Sequence, residues 1–223
     1  MKFESSMLTL YGITDRKWVG KYTLEEQVEQ ALRGGVTILQ LREKNTDRET
    51  LTAEAERIKA VCEKYNVPLI INDDYKTAIE VGADGVHVGI EDTAVSEIRK
   101  NAPKGFMIGA TAKTVEQAKA AYGQGADYLG VGAVFPSPTK TNAVRITNEQ
   151  LDEICKSVPI PCVAIGGITY ENADELKGAA IDGIAVVSAV FGAEDIEKAA
   201  KALRQKAEDI LIRNAELRYR LCR

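Results

Sequence analysis

Polar side chains that could bind phosphate are concentrated in short segments that follow apolar runs of the sequence. The segment 40–44 reads Gln-Leu-Arg-Glu-Lys and places Gln40, Arg42 and Lys44 at alternate positions. Alternate side chains of an extended strand point to the same side, so these three would converge. Arginine forms paired hydrogen bonds with phosphate, and lysine adds a compact positive charge. The segment predicts an anion site, with a solvated charge cluster as the alternative.

Two aspartates follow the next two apolar runs, Asp73 after the first and Asp92 after the second. If these runs are adjacent parallel strands, their carboxyl ends meet and the two carboxylates can share one cation. Magnesium needs few carboxylates, because water and phosphate oxygens complete its coordination. The pair therefore predicts a Mg²⁺ site. Asp74 could instead cap the helix that follows it, and Glu91 is expected to face solvent.

Hydroxyl groups and glycines follow the later apolar runs. Thr111 offers a hydroxyl, and a long loop that begins at Phe135 combines hydroxyls with a lysine, a composition typical of a phosphate clamp. Adjacent glycines allow backbone N–H groups to approach a phosphate, although a purely structural role is the alternative. The candidates in these later segments are Ser137, Thr139, Lys140, Gly166, Gly167, Val187 and Ser188.

The candidates recur because the chain repeats one structural unit eight times. Short apolar runs alternate with longer amphipathic stretches, which predicts strands alternating with helices. Strands are predicted at 8–14, 36–41, 68–72, 85–89, 106–109, 128–132, 161–165 and 183–187. Helices are predicted at 24–33, 48–65, 75–81, 95–101, 115–122, 148–157, 172–177 and 194–213.

Eight such units predict one α/β domain over residues 1–223, a single (β/α)8 TIM barrel with a basic C-terminal tail, 214–223, that frays. Continuous apolar strands fit a sheet covered on both faces. A doubly wound open sheet is the alternative, but the G-x-G-x-x-G that usually follows its first strand is missing. Active sites of such barrels lie at the carboxyl ends of the strands, where the candidates fall.

Composition argues against several functional classes. The 29 basic and 33 acidic residues give a net charge of −4, without the basic excess typical of nucleic-acid binding. No run is long enough for a membrane span, and the first residues lack a secretory signal. The four cysteines form no C-x-x-C pair and are expected to be reduced, in a cytoplasmic protein. The single histidine, His87, is expected to be a satisfied barrel residue rather than a catalytic base.

Together these segments resemble the thiamine-phosphate synthase family, also called thiamine-phosphate pyrophosphorylase. The matching segments run in order along nearly the whole chain, and their combination is far more specific than any one of them. They are 11–15, 40–44, 71–73, 83–89, 125–132, 139–140 and 164–168.

The resemblance implies a transferase that joins 4-amino-5-hydroxymethyl-2-methylpyrimidine diphosphate to a thiazole phosphate by dissociative loss of diphosphate. Small-molecule substrates would be its partners, and a monomer or small homo-oligomer is expected. The resemblance implies a pyrimidine diphosphate site at Gln40, Arg42, Lys44, Asn72, Thr111 and Lys140, in which Arg42 and Lys140 are catalytic. It implies a Mg²⁺ site at Asp73 and Asp92 and a thiazole phosphate site at Ser137, Thr139, Gly167, Val187 and Ser188.

The sequence also departs from the family pattern. Ile90 stands where glutamine is usual, Thr111 where serine is usual, and Ala133 where proline is frequent. Two other functions are weighed. A thiazole tautomerase would carry a histidine after the sixth strand, and segment 132–135 has none. A non-catalytic barrel that binds thiamine phosphate would have no need of the paired aspartates.

Overall fold

The computed structural model describes residues 3–136 and 145–221. Eight parallel strands form a closed barrel in chain order, and β8 pairs back with β1 through Leu10 and Ile184. The predicted closed barrel is therefore confirmed, and the open sheet is wrong. The strands are β1 (Leu10–Ile13), β2 (Ile38–Leu41), β3 (Leu69–Asn72), β4 (Gly85–Val88), β5 (Met107–Ala112), β6 (Tyr128–Gly132), β7 (Cys162–Ile165) and β8 (Gly183–Val186).

Helices follow the strands and cover the outside of the barrel. They are α1 (Leu24–Arg33), α2 (Arg48–Lys64), α3 (Tyr75–Glu80), α4 (Val95–Asn101), α5 (Val115–Gly123), α6 (Asn148–Lys156), α7 (Ser188–Phe191) and α8 (Ile196–Leu221). The helix predicted at 172–177 is instead a short 3-10 helix, Ala173–Leu176. The short helix α7 is absent from the sequence-based prediction.

The strands separate two apolar layers, which explains why their sequences are apolar throughout. The larger layer lies between the strands and the helices. The smaller one fills the barrel interior, and its buried members are Leu8, Tyr11, Ile13, Ile38, Ile70, Met107, Tyr128, Val163 and Ala185. The interior is thus a packed core that closes the barrel below the site.

Two glycines make room for large polar rings inside the barrel. A Cβ atom on Gly109 would collide with the Tyr128 ring and would lie 2.5 Å from His87 Nδ1. A Cβ atom on Gly130 would lie 3.0 Å from His87 Cε1. The glycines of β5 and β6 therefore leave space for the His87 and Tyr128 rings to pack side by side inside the barrel.

Side-chain caps fix where the outer helices begin, and so fix the lengths of the loops that carry the site. The Asp74 carboxylate accepts hydrogen bonds from Thr77 N and Thr77 Oγ1, both at 2.9 Å. Asp74 is therefore the helix cap that its position suggested, rather than a metal ligand. Thr23, Asp47, Thr114 and Thr147 cap α1, α2, α5 and α6 in the same way.

The C-terminal tail that is expected to fray is helical in its described part, where α8 continues to Leu221. Asn214 is buried, its Oδ1 accepts from Gly178 N at 2.6 Å, and its Nδ2 donates to Ala179 O at 2.9 Å. These bonds attach the end of the helix to the loop before β8. Among the described residues, no helix combines the length and apolarity needed to cross a bilayer.

Candidate active site

One cavity of about 240 Å³ opens at the carboxyl ends of the strands. All the site residues predicted from the sequence that fall in the described ranges line it: Gln40, Arg42, Lys44, Asn72, Asp73, Asp92, Thr111, Gly167, Val187 and Ser188. Ser137, Thr139 and Lys140 lie outside the described residues. Elements that are far apart in the sequence therefore supply a single site.

The cationic side of the cavity is built from the loop that follows β2. Lys44 Nζ lies 2.6 Å from Asp73 Oδ2. The Arg42 backbone N–H donates to Thr14 Oγ1 at 2.9 Å, and its guanidinium lies 3.5 Å from Asp15 Oδ2. Asp15 and Thr14 thus hold Arg42, and Asp73 holds Lys44, toward the cavity. Both cationic groups remain partly exposed to solvent.

The two aspartates predicted to bind metal follow adjacent strands, since β3 pairs with β4 and Asn72 stands opposite His87. Asp73 has a positive φ of 64°, which asparagine and aspartate tolerate better than most residues. Asp92 Oδ2 accepts from Gly89 N at 2.7 Å. Both carboxylates line the cavity.

This donor set fits magnesium. In the described ranges no cluster of three or more His, Cys, Asp or Glu side chains could enclose a metal alone. Magnesium in phosphate-binding enzymes is usually held by one or two carboxylates, with water and substrate phosphate completing the shell. Asp73 and Asp92 match that requirement, and Lys44 would share Asp73 with the ion.

A hydrogen-bonded chain fixes Gln40 at the base of the cavity. Gln40 Nε2 donates to the Tyr11 hydroxyl at 2.8 Å, and the Tyr11 and Tyr128 hydroxyls are 2.8 Å apart. Burial raises the pKa of both tyrosines well above the ordinary value, so both stay neutral. The amide donates one N–H to the protein, which leaves Gln40 Oε1 to accept from a ligand.

His87 is buried and its Nε2 lies 3.2 Å from Thr111 Oγ1. Its Nδ1 has no hydrogen-bond partner within the described part of the chain. Burial lowers the pKa of His87 to about 4, so the ring is neutral at pH 7. A proton on Nε2 would leave Nδ1 as a bare acceptor and free the Thr111 hydroxyl to donate to a ligand. His87 therefore positions Thr111, as expected of a barrel residue rather than a base, but only one of its nitrogens is satisfied.

The depressed pKa of His87 gives a prediction for stability. Between pH 6.5 and pH 4 the unfolded chain binds a proton that the folded protein does not, so stability falls as pH falls through this window. The free energy of unfolding of the wild type, measured with urea, should fall by about 2 kcal/mol between about pH 7.5 and about pH 5 because of this group. His87→Asn should lack that component, and equal pH dependence in the two proteins would contradict the assignment.

The opposite side of the cavity is formed by the ends of β7 and β8. Gly166 and Gly167 have positive φ angles of 104° and 65°. A Cβ atom on Gly167 would lie 2.7 Å from Phe135 O and would also meet Pro136 O. The double glycine is therefore needed for packing against the loop after β6 as well as for an open backbone. Val187 and Ser188 complete this side at the start of α7.

Two features of the cavity, Lys113 and the short helix α7, are absent from the sequence-based predictions. Lys113 lines it, and the alternation that places Thr111 there would have identified Lys113 two residues later. Thr111 itself lies within β5, which runs to Ala112, and not in a loop after 109. The short helix α7 carries Ser188 at its first position, an arrangement that barrels of this kind often use for phosphate.

The departures from the family pattern fall in different places. Ile90 is 48% exposed, whereas Ala133 lines the cavity.

The described charged groups of the lining are the cations Arg42, Lys44 and Lys113 and the anions Asp73 and Asp92. Cations outnumber anions on the side formed by β2 to β5, as a polyanionic ligand requires.

Comparison with known proteins gives a consistent result. The family described as thiamine monophosphate synthase matches residues 10–190. A thiamine-phosphate synthase of Ruminiclostridium cellulolyticum is 48% identical, over 87% of this chain and 93% of that protein. Thiamine-phosphate synthase 2 of Streptococcus pneumoniae serotype 4 is 44% identical, over 92% of this chain and 97% of that protein. The solved thiamine phosphate pyrophosphorylase of Pyrococcus furiosus superposes with a TM-score of 0.85 at 40% identity, covering 93% and 98% of the two chains.

Proposed function

The chain belongs to the thiamine monophosphate synthase family, and from this premise we propose that it joins 4-amino-5-hydroxymethyl-2-methylpyrimidine diphosphate to a thiazole phosphate. The products are thiamine phosphate and diphosphate. One observation carries the proposal: a single cavity has a cationic side with two aspartates and, across the barrel, a side with paired glycines and a serine. Two phosphorylated substrates can therefore meet within one barrel mouth.

The pyrimidine diphosphate is assigned to the side built by β2 to β5. Arg42 and Lys44 bind the diphosphate, Asn72 and Thr111 donate hydrogen bonds, and Gln40 accepts from the exocyclic amine through Oε1. Asp73 and Asp92 would hold Mg²⁺, which when bound would supply positive charge to the departing diphosphate. The family resemblance adds Lys140 to this set.

The thiazole phosphate is assigned to the ends of β7 and β8. Backbone N–H groups at Gly167 and Val187 and the Ser188 hydroxyl supply donors for a phosphate monoester. The resemblance places Ser137 and Thr139 near the thiazole ring. This separation into two sides orients the thiazole nitrogen toward the pyrimidine methylene, so that proximity contributes much of the rate.

The bond to diphosphate breaks before the thiazole attacks. Arg42, Lys44 and Lys140 stabilise the negative charge that develops on the leaving group. The pyrimidine ring becomes electron-poor, so its amine becomes a stronger donor to Gln40 Oε1. Because that hydrogen bond strengthens in the transition state, Gln40 contributes to the rate as well as to binding.

The paired aspartates and the cations favour this reaction over tautomerisation of a thiazole, which needs no diphosphate site. They equally disfavour a non-catalytic barrel, because bound product has already lost its diphosphate. We also propose that residues 1–223 act as one domain and as a monomer or small homo-oligomer. The buried free thiols of Cys62, Cys155 and Cys162 support a cytoplasmic location.

A turnover assay tests the proposed function. Purified protein is mixed with both substrates and Mg²⁺, and thiamine phosphate is measured by mass together with released diphosphate. Stoichiometric formation of the two products is expected, with no product when either substrate or the metal is omitted. Binding of both substrates without turnover would favour the non-catalytic barrel.

Ser188→Asp should separate the two substrates. A carboxylate at the proposed phosphate position repels the thiazole phosphate, so its KM should rise by about 100-fold, equivalent to about 2.7 kcal/mol. The KM for the pyrimidine diphosphate should change little, because that substrate lies on the other side of the cavity. Ser188→Ala is the matched variant and should give a much smaller rise. Equal changes in both KM values for Ser188→Asp would contradict two separate phosphate sites.

A further inference from the structure

Residues 42–44, which follow β2, are here called the cationic loop. Arg16 lies between two acidic side chains on the outer side of this loop. Its Nε donates to Glu43 Oε2 at 2.6 Å, and its Nη2 donates to both Glu54 oxygens, at 2.7 and 2.6 Å. The side chains of Glu43 and Glu54 are 0% and 6% exposed, whereas that of Arg16 is 54% exposed. The arginine therefore covers two buried carboxylates.

Glu43 depends on this contact. Its second oxygen, Oε1, is buried and has no hydrogen-bond partner among the residues that the structure describes. Burial raises the pKa of Glu43, and the Arg16 hydrogen bond opposes that rise. Without Arg16, a buried and unpaired carboxylate would remain, which is strongly unfavourable. Glu43 would then turn toward solvent or take up a proton.

The position of Glu43 links this cluster to the proposed chemistry. Glu43 stands between Arg42 and Lys44, which line the cavity while Glu43 does not. Anchoring the middle side chain on the outer face holds its two neighbours toward the cavity. The same loop is also fixed by the bond from Arg42 N to Thr14 Oγ1 and by the contact of Arg42 with Asp15. Three consecutive residues after β1 thus hold the cationic loop.

We propose that Arg16 is a positioning residue for the diphosphate: by holding Glu43 outward it presents Arg42 and Lys44 to the cavity. The inference rests on the proposed function, since it assumes that these two cations bind the diphosphate of the pyrimidine substrate. If Arg16 were only a structural brace between the loop after β1 and α2, its removal would lower thermal stability and affect both substrates alike. A positioning role predicts that only the diphosphate substrate is affected.

The test compares Arg16→Met with Arg57→Met. Arg57 is a matched control, because it is also 54% exposed and its Nε also lies 2.6 Å from a glutamate, Glu25. The KM of each substrate, the Kd of inorganic diphosphate with Mg²⁺, and the Tm are measured. For Arg16→Met the KM and Kd for diphosphate groups should rise about 10- to 100-fold, as expected for a small displacement of binding groups. The KM for thiazole phosphate should stay within about twofold of wild type, as should every constant of Arg57→Met.

A second set of variants keeps the test decisive if Arg16→Met folds poorly. Arg16→Lys retains the charge but cannot span both carboxylates, and it should give an intermediate rise in the diphosphate constants. Glu43→Gln should raise the same constants, and its effect should not add to that of Arg16→Met, because both remove one anchor. Unchanged diphosphate constants, or equal rises for both substrates, would overturn the inference. If wild type forms no thiamine phosphate, the proposed function fails, whereas diphosphate titration still reports on Arg16.

Discussion

Replacing Asp92 with alanine should lower kcat/KM at least about 100-fold, because loss of a metal that stabilises the leaving diphosphate costs several kcal/mol. The fold should remain intact. Asp92 is exposed, and its carboxylate accepts a hydrogen bond from Gly89 N. Asp92→Asn keeps an acceptor for that N–H while removing the charge, so it separates metal binding from loop geometry. It should be nearly as inactive as the alanine variant, with a Tm close to that of wild type.

Asp73 needs a different substitution for the same test. Its φ of 64° is tolerated by asparagine but strained for alanine, so Asp73→Ala would combine a backbone effect with loss of the carboxylate. Asp73→Asn avoids the strain and should lose most turnover. It also breaks the ion pair with Lys44, so part of the loss will appear as a higher KM for the pyrimidine diphosphate.

Glu91→Ala is the control for both aspartate variants. Glu91 is the exposed neighbour of Asp92 and is not part of the cavity lining, so its removal should leave activity within about twofold of wild type. Activity is measured across a magnesium titration. Near wild-type activity of Asp92→Asn or Asp73→Asn at limiting magnesium would show that the metal assignment is wrong.

Strand positions, and with them most of the site, follow from the sequence because barrel geometry brings every strand end to one rim. Once the apolar runs are recognised, the residue after each run can be placed at this rim without knowledge of its contacts. This reasoning identifies Arg42 and Asp73, which directly follow β2 and β3, and alternation along β2 adds Gln40. The sequence predicts that the fifth strand ends at 109 and so does not indicate Lys113. In the structure β5 runs to Ala112, and its alternation carries one more side chain into the cavity.

Features that depend on contacts distant in sequence were not accessible in this way. Glu43 reads as one more exposed charge between Arg42 and Lys44, and only the fold shows that Arg16, 27 positions earlier, covers it. The basic composition of the C-terminal tail does not indicate that it is attached to the barrel. The attachment is through Asn214, which bonds to the loop before β8. For Gly167 the sequence leaves phosphate binding and a structural role open, and the fold shows the structural part, because a Cβ atom there would collide with the backbone near Phe135. A Gly167→Val variant would therefore disturb packing as well as binding.

The order of bond breaking and bond making gives the second large effect. If diphosphate leaves first, the barrier reflects the stability of the pyrimidine cation, and the nucleophile enters afterwards. The cavity suits that order, because Arg42, Lys44 and Lys113 line the side to which the diphosphate is assigned. His87, with a pKa of about 4 and Nε2 on Thr111, is not a base at pH 7. A trifluoromethyl group in place of the 2-methyl group of the pyrimidine should slow the chemical step at least about 100-fold, or about 2.7 kcal/mol in the barrier.

Single-turnover rates with both substrates saturating would measure this effect without interference from binding. A pyrimidine with an ethyl group at the same position is the control, since it is bulky but does not withdraw electrons, and it should react at close to the normal rate. Thiazole phosphates of lower nucleophilicity should slow the step by less than about threefold, because they do not take part in the rate-limiting ionisation. Strong dependence on the thiazole together with weak dependence on the pyrimidine substituent would instead indicate direct displacement. In that case Arg42 and Lys44 would act mainly by binding the diphosphate in the ground state, and Gln40 would lose its proposed part in stabilising a cation.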